Sequence, residues 1–525
     1  VSALPQTGAK LAANGLAGAP PGGGEALPRR PERGEDLELT IERLAHGGEG
    51  VARYGEGGYV VFVSGGIPGD RVRAVVSKRK RSYAHARTIE IISPSPERIA
   101  PAASHPGVAW QVLPYERQLQ IKAEQVQDAL RRIGKLDGFE MQEIVPALEQ
   151  WRYRNKLEYS FGRGVDGELV CGFHAPAGWN TVEPIEDCLL ASERGNRARM
   201  AALRWARAQG LLAWARGGRP GGRRAPRPDA ASQGAAASQG AAAHRHDAPS
   251  PSREERTAAA PDGRPFLRNL VVREGRHDGV LQIRLVTTDG ELDVPSLAAA
   301  LVEELGEDTL SGVLWTRSSS LAETTMGGET ELVWGDAELP ERLGELDLRI
   351  SSEAFFQTNT EMAELLYGIV VDYAALEGWE RVYDLYSGIG TIALTLAPRA
   401  GELWGIEIVE QAVADAIAAA KRNDVTSAHF YAGDARLVLP ELVERAGRPD
   451  VVVVDPPRAG LSQKVVRRIL DASPSRIVYV SCNPTTLAPN AAQLVEAGWR
   501  LVKVRPVDMF PQTPHVECVA LLERG

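Results

Sequence analysis

In the last third of the sequence, four reactive side chains follow short apolar runs in turn. They are Glu407 after ELWGI, Asp434 after HFYAG, Asp455 after VVVV and Cys482 after RIVYVS, while a fifth, Glu517, precedes CVALL. Cysteine suits attack on an electrophilic carbon, because a few per cent is thiolate at neutral pH and the thiolate is strongly nucleophilic. A carboxylate held close by can remove a proton from the adduct. Upstream, DLYSGIGTIA (384–393) reads as a glycine turn between an apolar strand and a helix. Gly388 and Gly390 let the backbone approach a ligand, and the helix start presents its positive dipole end. With Ala393 this turn satisfies the relaxed pattern G-x-G-x-x-A, which fits NAD and S-adenosylmethionine equally. Glu407 can bind ribose hydroxyls in both cases, and Asp434 is placed to meet an adenine edge. The downstream residues separate the two. NAD chemistry has no use for a thiol and a carboxylate over the cofactor, whereas group transfer through a covalent adduct needs both.

Such side chains must be brought together by the elements that carry them. Residues 351–525 alternate strand and helix, which predicts a parallel α/β sheet with its ligands at the C-terminal strand ends. Cys482 and Asp455 then stand at neighbouring strand ends on one face. Glu517 begins the last strand. Cys518, next in that alternating strand, faces the other way into the core.

The region before this sheet reads as two further modules. From Leu37 to about Arg98, five short alternating strands with glycine turns predict a small OB-like barrel. Arg71 to Arg87 holds seven Lys or Arg and no acid, with Lys78, Arg79, Lys80 and Arg81 at its centre and Tyr83 among them. A basic loop beside an aromatic suits phosphate tracking and base stacking. YERQLQIKAEQVQDALRRIGKL (115–136) reads as one amphipathic helix. WRYRNKLEYSFGRG (151–164) reads as a basic-aromatic strand in which Arg152, Arg154, Asn155 and Lys156 interleave with Trp151, Tyr153 and Tyr159, again suited to RNA. A helix over 196–215 and the strands LRNLVVREG and VLQIRLVTTDG complete a central α+β domain running to about residue 350.

Two segments lack the means to fold. Residues 1–36 are rich in Gly and Pro and read as a disordered leader. Residues 216–264 contain no Val, Ile, Leu, Met, Phe, Tyr or Trp and carry a tandem ASQGAA repeat at 231–236 and 237–242, so they read as a disordered insertion. Composition excludes other classes. With 60 Lys+Arg against 69 Asp+Glu the net charge is −9, so basic surface must be local. The longest apolar runs are too short for a membrane span, and no secretory signal is visible. Four cysteines in 525 residues exclude a disulfide scaffold and fit a reducing cytoplasm. A monomer is expected.

SSEAFFQTN, DLYSGIG, GIEIV, DPPRAG, SCNPTTL and DMFPQTPHVE, in this order, resemble the RNA uracil-5-methyltransferase family, and GGEGVAR with VFVSGGIPGDRV resembles its TRAM domain. The resemblance implies a Rossmann-like class I methyltransferase domain at 351–525, a TRAM barrel at 37–98 and a central RNA-binding domain at 99–350. It also implies S-adenosylmethionine as cofactor, held by Gln357, Tyr386, Glu407 and Asp455, with Gly388 and Asp434 added on physical grounds. Cys482 is implied as nucleophile and Glu517 as base in making 5-methyluridine. The presence of a TRAM domain favours the 23S ribosomal RNA branch over the tRNA branch. A cytosine-5 enzyme typically has a cysteine after the fourth-strand proline, where this chain has Arg458, and DPPR also departs from the aromatic-ended motif of amino-group methyltransferases. A non-catalytic RNA-binding factor retaining the fold is the remaining alternative, and intact Cys482 and Glu517 argue against it.

Many relatives carry a four-cysteine iron–sulfur cluster. Here the stretch that would bear three of its ligands, IAPAASHPGVAWQVLPYERQ (99–118), has no cysteine, and Cys188 alone matches the pattern. One thiol does not hold such a cluster, so none is expected. Two smaller departures are Ser387 in the glycine loop and TLAPN (486–490) after the catalytic loop, where Pro489 and Asn490 alter the helix start.

Overall fold

The computed structural model describes residues 30–164, 166–175, 178–214, 263–320 and 324–525. Nearly all of the expected leader and insertion lies outside the described residues. Among the described residues no helix is long and apolar enough to cross a membrane.

The N-terminal barrel has six strands rather than five: Asp36–Thr40, Arg43–Leu44, Gly50–Tyr54, Tyr59–Ser64, Arg71–Arg79 and Tyr83–Ser93. Alternation buries Leu37, Leu39, Val72, Ala74 and Val76 in one cluster. The run LELTIERL is broken at Ile41, whose N–H donates to the Asp70 carbonyl at 2.9 Å, while Glu42 N–H donates to Val51 at 2.8 Å. This kink puts consecutive strands at opposite edges of one sheet. The sheet thereby closes on itself in the OB manner.

The helix Tyr115–Asp128 continues as a π-helical turn over Ala129–Ile133. Ile121 packs with Leu44 and Ile67 of the barrel. Val126, Ala129 and Leu130 enter the core of the C-terminal domain. One helix therefore joins both modules.

A seven-stranded sheet forms the centre, with the strand Lys156–Arg163 between Leu169–Ala175 and Leu267–Gly275. That strand begins at Lys156, so residues 151–155 of the expected strand belong to a preceding loop. The helix Glu193–Ala208 starts three residues earlier than expected because Ser192 caps it, accepting from Gly195 N–H.

The C-terminal sheet carries β1 (Arg381–Leu385), β2 (Glu402–Glu407), β3 (Ala428–Ala432), β4 (Val451–Val454), β5 (Arg476–Ser481), β6 (Trp499–Val507) and β7 (Glu517–Arg524). Their order is β3-β2-β1-β4-β5-β7-β6, with the short strand Glu140–Met141 beyond β6. β1 to β5 are parallel, and all four valines of β4 are buried, as a strand covered on both faces requires. The parallel expectation stops at β7, which runs antiparallel to β5 and β6. A loop rather than a helix joins β6 to β7, so the chain reverses direction.

Candidate active site

Reversal of β7 is what brings the two candidate catalytic groups together. Ser481 pairs with Cys518 across β5 and β7. One further step in that antiparallel register sets Cys482 opposite Glu517. Glu517 is buried and Cys482 half-buried. Cys518 faces the core as expected, fully buried with its Sγ 3.7 Å from the Ser481 carbonyl.

The loops after β4 and β5 are tied to each other. Asn483 Nδ2 donates to the Arg458 carbonyl at 3.0 Å, and Thr486 Oγ1 donates to the same oxygen at 3.2 Å. Asn483 also caps the helix Pro484–Glu496, accepting from Thr485 N–H at 3.1 Å. The departure at TLAPN has a structural use. Asn490 accepts from Leu461 N–H (2.8 Å) and from the Tyr479 hydroxyl (3.0 Å), and donates to the Leu461 carbonyl (3.0 Å). Asn490 thus anchors the loop that follows Asp455, and Pro489 removes one backbone donor from the helix.

Burial and mutual repulsion govern the charges. Burial, then the negative charges of Glu517 and Asp455, push the Cys482 thiol up to about 12, against the opposing pull of Arg458 and a backbone hydrogen bond. Burial and these charges favour the protonated thiol over the few per cent of thiolate of an ordinary cysteine. Burial raises Asp455 to about 7. Glu517 lies well above the carboxylate range through burial and Asp455. His515 is held down to about 3 by burial and by Arg458, so it is neutral.

On the cofactor side, Gly388 has φ +55° and open space where a side chain would stand, whereas a Cβ on Gly390 would meet Phe430 at 2.9 Å. The first glycine leaves room for a ligand and the second permits packing. Glu407 accepts from Gly388 N–H at 3.1 Å and from the Ile408 and Val409 amides at 2.7 and 2.9 Å. Tyr386, at φ +67°, is turned at the strand end, and Gln357 is buried beside Tyr367. Asp434 is already engaged: it caps the helix Ala435–Ala446 and pairs with the Arg436 guanidinium. Its carboxylate meets an adenine edge only by giving up that pair.

Three residues that the sequence reading passed over belong to this region. Asp384 is fully buried without a well-formed hydrogen bond to either carboxylate oxygen, and burial with Asp455 raises it far above the usual range. A buried carboxylate with so little hydrogen bonding, beside the glycine turn, fits a cationic ligand. Phe355, two residues before Gln357, is 71% exposed, and Ile408, after Glu407, is 63% exposed. Phe355 gives a flat aromatic surface for a ring and Ile408 an aliphatic one. An acid ending the first strand was the available signal for Asp384; exposure is not readable from sequence.

The candidate RNA contacts divide. Lys78, Arg79, Lys80 and Arg81 are all exposed, as expected. Tyr83 is buried edge-on against Phe62 and is not a stacking platform. The expected RNA surface at 151–156 is largely consumed by packing. Tyr153 and Tyr159 are buried, Arg152 pairs with Asp187, and Lys156 Nζ lies 2.6 Å from Glu158. Arg154 sits over the Tyr153 and Phe510 rings at 6.0 and 5.8 Å. The loop before the strand turns Tyr153 and Arg154 toward the C-terminal domain, while Arg152, Lys156 and Tyr159 meet partners in the central one.

Around Cys188 the donor set does not fit a cluster needing about four thiolates. Cys188 Sγ is 3.2 Å from His105 Nε2, both are buried, and Phe173 lies against the imidazole with centroids 5.3 Å apart. The protein purified anaerobically is expected to show substoichiometric iron and a melting temperature indifferent to chelators. A cluster absorbance band or chelator-induced unfolding would contradict this.

This arrangement, a 3-2-1-4-5-7-6 sheet with a glycine loop after β1 and a thiol facing a carboxylate across β5 and β7, defines a class I methyltransferase fold joined to an OB-like barrel. Residues 446–525 match the tRNA (Uracil-5-)-methyltransferase family and residues 30–89 the TRAM domain. An uncharacterized RNA methyltransferase of Halalkalibacterium halodurans is 32% identical over 93% of this chain and 96% of its own length; one of Porphyromonas gingivalis is 34% identical over 93% and 100%. A solved structure, the Pyrococcus abyssi tRNA (uracil-54, C5)-methyltransferase in complex with S-adenosyl-L-homocysteine, superposes with TM-score 0.68 and 26% identity, covering 92% of this chain and 99% of that one. The chain belongs to the TRAM-containing RNA uracil-5-methyltransferase family and is an RNA methyltransferase.

Proposed function

We propose that this protein methylates uridine C5 in RNA through a covalent adduct between Cys482 and C6, with 23S ribosomal RNA as substrate. The observation that carries the reading is the register that sets Cys482 opposite Glu517 at the strand ends beside Asp455. Cys482 gives up its thiol proton to water, the thiolate Sγ adds to C6, and the electron pair of the C5–C6 bond moves toward the C4 carbonyl, leaving an enolate with a nucleophilic C5. S-adenosylmethionine, when bound, supplies the methyl group and a sulfonium positive charge. Asp384, Asp455, Gln357, Tyr386, Gly388, Glu407 and Asp434 are the residues that would hold it. Glu517 then takes the C5 proton, the C5–C6 double bond re-forms and Cys482 leaves. Reaching Cys482 requires the target base to leave its stack, and exposed Phe355 offers a surface for a displaced ring. We assign RNA capture to the 37–98 module through Lys78, Arg79, Lys80 and Arg81. Arg154, over the Phe510 ring, holds the 99–350 domain against the C-terminal one, and Lys156 pairs with Glu158 on its own strand.

The presence of the TRAM domain supports ribosomal RNA. A tRNA substrate is the second reading, favoured by the name of the Pyrococcus neighbour. Incubating the protein with S-adenosylmethionine and either 23S or tRNA transcripts, followed by nucleoside mass spectrometry, tests both. 5-Methyluridine in the 23S transcript alone is expected, its appearance only in tRNA selects the second reading, and no 5-methyluridine in either ends the proposal.

The pH dependence follows from the buried groups. Nucleophile and base both act deprotonated, and both are displaced upward, with Cys482 near 12 and Glu517 above its ordinary range. The log of kcat/KM is therefore expected to climb as pH rises through neutrality to the alkaline side. A profile already flat above the ordinary carboxylate range contradicts this.

A further inference from the structure

Residues 508–516, the loop between β6 and Glu517, have no regular secondary structure, yet side chains from several other segments hold them. Lys122 is fully buried, its Nζ 2.5 Å from Asp508 Oδ1 and 3.0 Å from the Phe510 carbonyl. The Tyr115 hydroxyl donates to Asp508 Oδ2 at 3.0 Å and accepts from Ala147 N–H at 2.7 Å. Gln118 donates to Gln512 Oε1 at 2.8 Å and accepts from Gln512 N–H at 3.0 Å. Tyr153 and Asn359 bond the carbonyls of Pro511 and Met509. Gln512 stands at φ +66°, a conformation a non-glycine residue keeps only where its surroundings impose it.

Three of these residues, 115, 118 and 122, share one face of the helix Tyr115–Asp128 at spacings of three and four. The same helix places Ile121 against Leu44 and Ile67 of the barrel. A fully buried Lys–Asp pair is a weak source of net stability, because desolvation of both charges offsets their attraction. What it does supply is direction. With both ends hydrogen-bonded, it admits one path of the loop and so one approach of Glu517 to the strand end.

We propose that Tyr115, Gln118 and Lys122 are positioning residues for the release half of the reaction, holding 508–516 so that Glu517 faces the methylated adduct. The inference rests on the reading of Cys482 as nucleophile and Glu517 as base. None of the three reaches the reacting atoms. Loosening the loop therefore leaves addition and methyl transfer in place and slows removal of the C5 proton.

The test measures denaturant-resistant protein–RNA adduct formed with ordinary RNA and S-adenosylmethionine, together with kcat, KM for RNA and melting temperature. The variants are Lys122→Met, Tyr115→Phe and the pair-neutral Lys122→Met with Asp508→Asn, which leaves no unpaired buried charge and keeps a folded protein available. Glu517→Gln is the reference. Adduct is expected to accumulate in the loop variants as in Glu517→Gln, with kcat down about tenfold or more and KM for RNA within about twofold. Folded variants that turn over without excess adduct, while Glu517→Gln accumulates it, overturn the positioning role alone. Absence of adduct in Glu517→Gln overturns the base assignment and this inference with it.

Discussion

Cys482→Ala is expected to lose methyl transfer by at least about 10⁴-fold, the scale on which removal of a covalent nucleophile acts. Without sulfur at C6, uridine C5 has no enolate to make it nucleophilic, and no other thiol stands in reach. Cys518 is fully buried on the opposite face of β7, and Cys171 and Cys188 lie buried in the central domain. RNA substituted with 5-fluorouridine makes the assignment visible. Fluorine at C5 does not leave as a cation, so elimination stops and the protein stays joined to the RNA through Cys482. The unaltered protein should give an adduct that survives denaturation, and the alanine variant none. An adduct in the alanine variant would remove Cys482 from its role.

Glu517→Gln is expected to separate the two halves of the reaction. The amide keeps the shape of the side chain but takes no proton, and loss of a general base slows its step by about 10²–10⁴-fold. Addition and methyl transfer do not use that base. A first methyl should therefore transfer and stay on an RNA still bonded to the enzyme, visible with ordinary uridine. The neighbouring thiol should change as well. The Glu517 carboxylate raises the Cys482 pKa, so its removal lowers that value, and alkylation of Cys482 by iodoacetamide should gain speed on the alkaline side, where Glu517 is ionised. Full turnover in this variant, or slower alkylation, contradicts the arrangement described here.

Much of the molecule is legible before any coordinate. The strand-turn-helix over 380–398, the acid at the end of β2 and the thiol at the end of β5 are local patterns, each written in a dozen residues by apolar runs and glycines. Their order along the chain is enough to name the family. The barrel is legible from its alternation as well, apart from the kink at Ile41, which depends on hydrogen bonds to Asp70 and Val51 some distance away. The basic-aromatic loop at 151–156 shows where such reading fails. Interleaved Arg and Tyr look the same in sequence whether they face RNA or a neighbouring domain, and here Tyr153 reaches the Pro511 carbonyl, more than 350 residues on.

The sequence alone supplies the groups from which the proposed chemistry is read, because a thiol, carboxylates and a glycine turn are identities and short spacings. Tertiary structure decides how those groups stand toward one another. The reversal of β7 puts Glu517 across from Cys482, burial raises three carboxylates and the thiol together, and a helix more than 350 residues away steadies the loop between them. Each of these is a long-range effect. Register, desolvation and repulsion between buried charges depend on distances that only the folded chain sets.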